Sequence, residues 1–148
     1  MKNEKILLGL TAFGVILYPL NDLACILTLL AAILLSVFVY KDKAVTRTVL
    51  QPALCVSALY AWRAVNATFV NIITYFAQLG EDYYSSGLYE STTAFNRVIA
   101  AIYLLVFIAI VVLTVLFIFV KKTDIPFVGK LVDKMLGTED KEENNSEE

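Results

Sequence analysis

Charge-free apolar runs punctuate the chain at Ile6 to Asn21, Leu23 to Tyr40, Thr48 to Trp62, Ala64 to Gly80 and Val98 to Val120. A helix needs about 20 apolar residues to cross a hydrocarbon core of about 30 Å, so these runs predict membrane-spanning helices. Backbone in lipid has to satisfy its own hydrogen bonds, which makes the helix the default. As one helix, residues 6 to 40 would extend about 52 Å, too long for one crossing. Pro19, Asn21 and Asp22 supply a break, because proline disfavours helix in the residue before it and Asn and Asp cap the start of the next. The pattern predicts a tight hairpin of helices over about 6–20 and 23–40. A third helix is expected over about 50–78, interrupted by Arg63, with Pro52 in its first turn where a missing N–H costs nothing. A fourth is expected over about 97–120.

Lysine and arginine in the short loops test this count independently. Lys2 and Lys5 precede the first helix, Lys41, Lys43 and Arg47 separate the second from the third, and Lys121 and Lys122 follow the fourth. All fall on one side only if residues 6 to 40 cross twice. The opposite loop, Gly80 to Thr93, holds Glu81, Asp82 and Glu90 and no lysine, with Arg97 only at the mouth of the fourth helix. Parity and charge agree on both termini in the cytoplasm.

Beyond the fourth helix, Ile125, Val128, Leu131, Val132, Met135 and Leu136 recur at helical spacing, with Lys130, Asp133 and Lys134 on the complementary face. Pro126 suits a helix start and Gly137 a helix end. A short amphipathic helix in the cytoplasmic interface follows, where Lys121, Lys122, Lys130 and Lys134 would meet anionic lipid. The expected architecture is an all-α, multi-pass protein of the cell membrane. Residues 1–122 form a four-helix transmembrane domain whose first two helices are a short hairpin, residues 123–137 the interfacial amphipathic helix, and residues 138–148 an acidic disordered tail.

Composition agrees: 59% of the 148 residues are hydrophobic and the mean hydropathy is +0.71, against roughly 45–50% apolar in an ordinary soluble domain. A net charge of −2 offers no basic excess for nucleic acid. Histidine is absent and there are two cysteines, which removes the commonest general base and most metal-ligand sets, so no metal or cofactor is expected. Cys25 and Cys55 fall near opposite faces of the membrane in this topology, which argues against a disulfide. Lys2 and Lys5 ahead of an apolar stretch suggest a signal peptide, but Asp22 stands where lipoprotein cleavage wants an aliphatic residue and the apolar run continues to Tyr40; no cleavage is expected.

Arg63 is the outstanding residue. It lies about 24 Å along a helix from Arg47, within the outer half of the bilayer, where a guanidinium is costly unless paired, hydrated or snorkelled. At about 100° per residue, Arg63, Thr74, Tyr60, Gln78, Asn71 and Asn66 spread over about 140° of one helix face. The first helix is short, so Asp22 at the hairpin tip is expected at the depth of Arg63 and is its candidate partner, with Asn21 and Asn66 nearby. Arg63, Asp22, Asn66, Asn71, Tyr60 and Thr74 thus form a candidate intramembrane polar site, with two readings: Arg63 snorkels or locks the bundle by hydrogen bonds, or its face lines a polar path. Tyr83, Tyr84 and Tyr89 read as interfacial anchors. Asn66-Ala67-Thr68 matches a glycosylation sequon by pattern only, since it would lie within the bilayer. No nucleophile with a base, no phosphate loop and no paired acids stand out, so no enzyme is expected.

Two segments carry a resemblance. Lys41, Asp42 and Lys43, followed by Gln51 and an apolar stretch, resemble the cytoplasmic loop and glutamine-led helix of a bacterial family of small membrane proteins of unknown function. That family is related to a four-helix subunit of the chloroplast inner-envelope import translocon. Ile125-Pro126-Phe127-Val128-Gly129-Lys130-Leu131 resembles its closing motif. Arg47, Thr48, Val49 and Leu50 stand where the family usually has a histidine and an alanine. The resemblance implies a four-helix layout over residues 6–136 and matches Gln51, Pro126 and Gly129, with no catalytic role for them. The function expected is that of a non-enzymatic component of a membrane complex, self-associated or joined to others in translocation or envelope maintenance. The alternative is a small channel, holin or transporter subunit with a path lined by the Arg63 face.

Overall fold

The computed structural model describes residues 2–79, 87–119, 125 and 127–137. Every regular element among them is helical: α1 (Lys2–Ile16), α2 (Asp22–Leu34), which widens into a π-helical stretch (Leu35–Tyr40), α3 (Lys43–Gln78), α4 (Gly87–Phe119) and α5 (Val128–Leu136). Three helices are long and apolar enough to cross a membrane, Asp22–Tyr40, Lys43–Gln78 and Tyr89–Phe119. The first helix is not one of them. It starts at Lys2 and unwinds at Leu17, two residues before Pro19, so its 15 residues cover only about 22 Å, and the run expected to Leu20 ends in turns.

The break between α1 and α2 falls where Pro19, Asn21 and Asp22 place it. Asn21 is extended (φ −158°, ψ 109°) and its side-chain oxygen accepts the Ala24 N–H at 3.0 Å, a standard N-cap that leaves Asp22 in the first turn of α2. Asp42 does the same for α3, accepting the Ala44 N–H at 2.9 Å. Lys41, left-handed at φ 54°, turns the chain between them.

Two compact units divide the chain, Met1–Val56 with Ile110–Glu148, and Ser57–Ala109. In the first, each long helix turns one narrow stripe inward at intervals of three and four residues. Leu7, Thr11 and Val15 of α1 and Tyr18 in the turn after it are buried, as are Cys25, Leu29 and Ala32 of α2 and Ser36 of its π-helical continuation, Val49, Ala53 and Val56 of α3, and Ile110, Thr114 and Phe117 of α4. Leu7, Ala32 and Val49 meet in a single cluster. The remaining apolar residues, among them Phe13, Leu27, Leu30, Phe38, Val112 and Phe119, lie exposed, an arrangement that water would penalise and lipid would not. Buried hydroxyls fold back on their own helices: Thr11 donates to the Leu7 carbonyl at 3.0 Å and Thr114 to that of Ile110 at 2.7 Å. Cys25 and Cys55 form no disulfide.

Two elements start earlier than the charge-free runs. Because α3 begins at Lys43, Pro52 is inside the helix rather than in its first turn. Because α4 begins at Gly87, it takes in Glu90, Asn96 and Arg97, residues expected in the outer loop or at the mouth of the helix. Their charged and amide side chains are exposed or half-buried, so helix formation there buries no charge.

Close approach of α1 to α2 depends on Gly14: a Cβ there would come within 3.0 Å of Leu29 Cδ2 and 3.1 Å of Leu29 Cγ. Gly14→Leu is therefore expected to destabilise the folded protein by about 1–3 kcal/mol, read as a lower unfolding temperature in detergent. Gly9→Leu, inside α1 at a site with nothing within 4 Å, should not destabilise it and gains helix propensity. Equal effects would mean that the hairpin is not packed through Gly14.

Candidate functional site

In the second unit the C-terminal part of α3 faces the N-terminal part of α4 across an open cleft of about 310 Å³. Trp62, Arg63 and Asn66 line it from α3 and Asn96 and Tyr103 from α4, over a floor of Ile99 and Ala100. Helical periodicity makes this possible: 62, 63 and 66 share one face of α3, and 96, 99, 100 and 103 share one face of α4. The Tyr103 hydroxyl donates to the Leu59 carbonyl at 3.3 Å and ties the two walls together. Farther along, the rings of Phe69 and Phe95 meet tilted at 57° with centroids 6.4 Å apart. Outside the lining, Val65, Phe69, Ile72 and Phe76 of α3 and Val98, Ile102 and Leu105 of α4 remain exposed.

Of the residues expected to form a polar site, the cleft brings together Arg63 and Asn66. Tyr60, Asn71 and Thr74 lie on the same helix outside its lining, and Asp22 belongs to the first unit. Asn96 escapes a sequence reading that starts the fourth helix at residue 97, and Trp62 and Tyr103 escape it inside the charge-free runs; the signal for Asn96 was its spacing of seven from Tyr103. Chemically the cleft presents one guanidinium, two carboxamides and two amphipathic aromatics, a set that hydrogen-bonds and stacks but holds no nucleophile. Among the described residues no group of three or more Cys, Asp or Glu stands together to hold a metal.

A second constellation closes the other end of α3. Lys43, Arg47 and Gln51, spaced four apart on one face, all reach the C-terminal segment. Arg47 forms a bidentate pair with Asp133, Nε to Oδ1 at 2.5 Å and Nη2 to Oδ2 at 2.6 Å. The Ile125 N–H donates to Oε1 of the buried Gln51 at 2.8 Å. Lys43 Nζ donates to the Leu136 carbonyl at 3.5 Å, at the C-terminal turn of α5, where a cation suits the helix dipole.

This lock corrects the expected faces of α5. Asp133 turns to Arg47 instead of lying with the lysines, and the apolar positions divide. Ile125 and Val132 are buried, whereas Leu131 and Met135 are exposed. Lys130 and Lys134 are exposed. Lys121, Lys122, Tyr83, Tyr84 and the acidic tail lie outside the described residues.

Compared with known protein families, curated proteins and solved structures, the chain matches none.

The Arg47–Asp133 pair is partly shielded and bidentate, so it should exceed an ordinary surface pair. A double-mutant cycle with Arg47→Ala and Asp133→Ala, read by detergent unfolding, is expected to give a coupling of about 1 kcal/mol. Strict additivity would show that the pair contributes nothing.

Proposed function

We propose that the chain crosses the bilayer four times with both termini in the cytoplasm, and that it is a non-enzymatic, complex-building protein docking on a neighbouring membrane helix through the Arg63 cleft. The cleft carries the reading. Polar side chains inside a membrane serve as hydrogen-bonding contacts between helices, and here Arg63, Asn66 and Asn96 share one open groove on two helices that also expose apolar residues on other faces. A neighbouring helix seated in the groove would add hydrogen bonds to the polar set. The fourth crossing would be supplied by α1 and its following turns, and the loop charges support that count. A setting in translocation or envelope maintenance rests on the sequence resemblance alone.

Topology is checked by membrane-impermeant labelling of single cysteines at Lys2, Lys43, Ser86 and Thr138, with Cys25 and Cys55 replaced. Labelling in intact cells at position 86 alone is expected. Labelling at position 2 as well would remove one crossing.

Docking is checked by native-mass measurement and crosslinking in mild detergent. The wild-type chain is expected to run as an oligomer or in a larger complex, and Arg63→Leu with Asn66→Leu to reduce it to a monomer at unchanged expression. A monomeric, partnerless wild type would sink the reading. The polarity of the same cleft favours a second reading, a channel subunit. It predicts that Arg63→Leu abolishes ion flux in liposomes, and unchanged flux ends it.

A further inference from the structure

We infer that α5 is a membrane-inserted foot, locked to the inner end of α3 and seated in one leaflet, whose occupant is anionic phospholipid. Within α5, at about 100° per residue, Val128, Val132, Leu136, Gly129 and Asp133 occupy an arc turned toward the protein, of which Val132 and Gly129 are buried. Leu131 and Met135, four residues apart, form a ridge away from that arc, with relative exposures of 53% and 61%, and Phe127 at the N-cap adds a side chain 90% exposed. Lys130 and Lys134 flank that ridge on its far side, also exposed. A ridge of large apolar side chains bordered by ammonium groups is complementary to a leaflet, apolar below and anionic at the surface.

The position of the foot supports the same occupant. Lys43, Arg47 and Gln51 hold α5 against the first turns of α3, where the charged start of that helix gives way to its apolar run. A helix fixed at that boundary cannot move its ridge away into water without breaking the Arg47–Asp133 pair. Asp133, the one acid between Lys130 and Lys134, is engaged by Arg47 and is thereby turned from the headgroups it would repel. Gly137, left-handed at φ 63°, ends the helix directly after the ridge, with its N–H on the Lys134 carbonyl at 3.4 Å.

The inference needs only that the chain lies in a bilayer, so it and the docking role fail separately. The full chain, with Cys25 and Cys55 replaced, is reconstituted in phosphatidylcholine nanodiscs with or without phosphatidylglycerol. An environment-sensitive fluorophore is attached to a cysteine at Leu131, Met135 or Lys130. At 131 and 135 the emission is expected to shift to the blue and to be quenched by brominated acyl chains but not by aqueous iodide; at 130 iodide should quench. Brominated phosphatidylglycerol should quench the ridge more than brominated phosphatidylcholine, and K130Q and K134Q should each weaken that preference by about fivefold. Iodide quenching at 131 and 135 would overturn the proposal. So would a blue shift insensitive to brominated lipid that disappears on dilution of the protein in lipid, because a second copy would then cover the ridge. Equal quenching by both brominated lipids would overturn the anionic preference.

Discussion

Hydrocarbon offers no hydrogen bonds, so helices long and apolar enough to cross it, as three of these are, have to supply them internally. Helices satisfy the backbone, threonine hydroxyls return to carbonyls one turn back, and caps are made where the chain turns. Asn21 and Asp42 take up N–H groups that the starts of α2 and α3 leave open. Packing then needs only a narrow stripe from each helix, because lipid would cover the rest. The inward stripes contain small residues, Gly14, Cys25, Ala32, Ser36 and Ala53, which permit close approach where no hydrophobic effect would draw helices together in lipid.

The two ends of α3 differ in how far they are closed. At the Lys43 end the cation of Arg47 is matched by a carboxylate delivered from α5, and a buried amide is matched by a backbone N–H. Toward the other end, Arg63 and two carboxamides gather in an open groove. The closed end is a structural joint, and the open end has room for another molecule. Pro52, buried between them, removes one backbone bond from the helix near the boundary of the two units.

Local chemistry was legible in the chain. Pro19, Asn21 and Asp22 marked the first turn, Gly137 the end of α5, and the spacing of Leu131 and Met135 the existence of that helix. Helix starts were less legible, because Lys43 and Arg47 read as loop charges until Asp133 is known to meet one of them. Asn96 was missed for the same reason: a charge-free run locates the apolar part of a helix, not the helix. The division of α5 into buried Val132 and exposed Leu131 was beyond reach, since both are apolar neighbours and only the packing of α3 distinguishes them. The cleft needed α4 as well as α3, and sequence periodicity describes one helix at a time.

The lock at the Lys43 end joins residues made far apart in time. Gln51 and Ile125 are separated by 74 positions, Arg47 and Asp133 by 86. During synthesis α3 is made well before either partner exists, so its Lys43 end stays open until almost the whole described chain has been translated. Closure by α5 is therefore a late step of assembly, and a nascent chain that has not reached Asp133 carries Arg47 without its carboxylate and Gln51 without the Ile125 N–H.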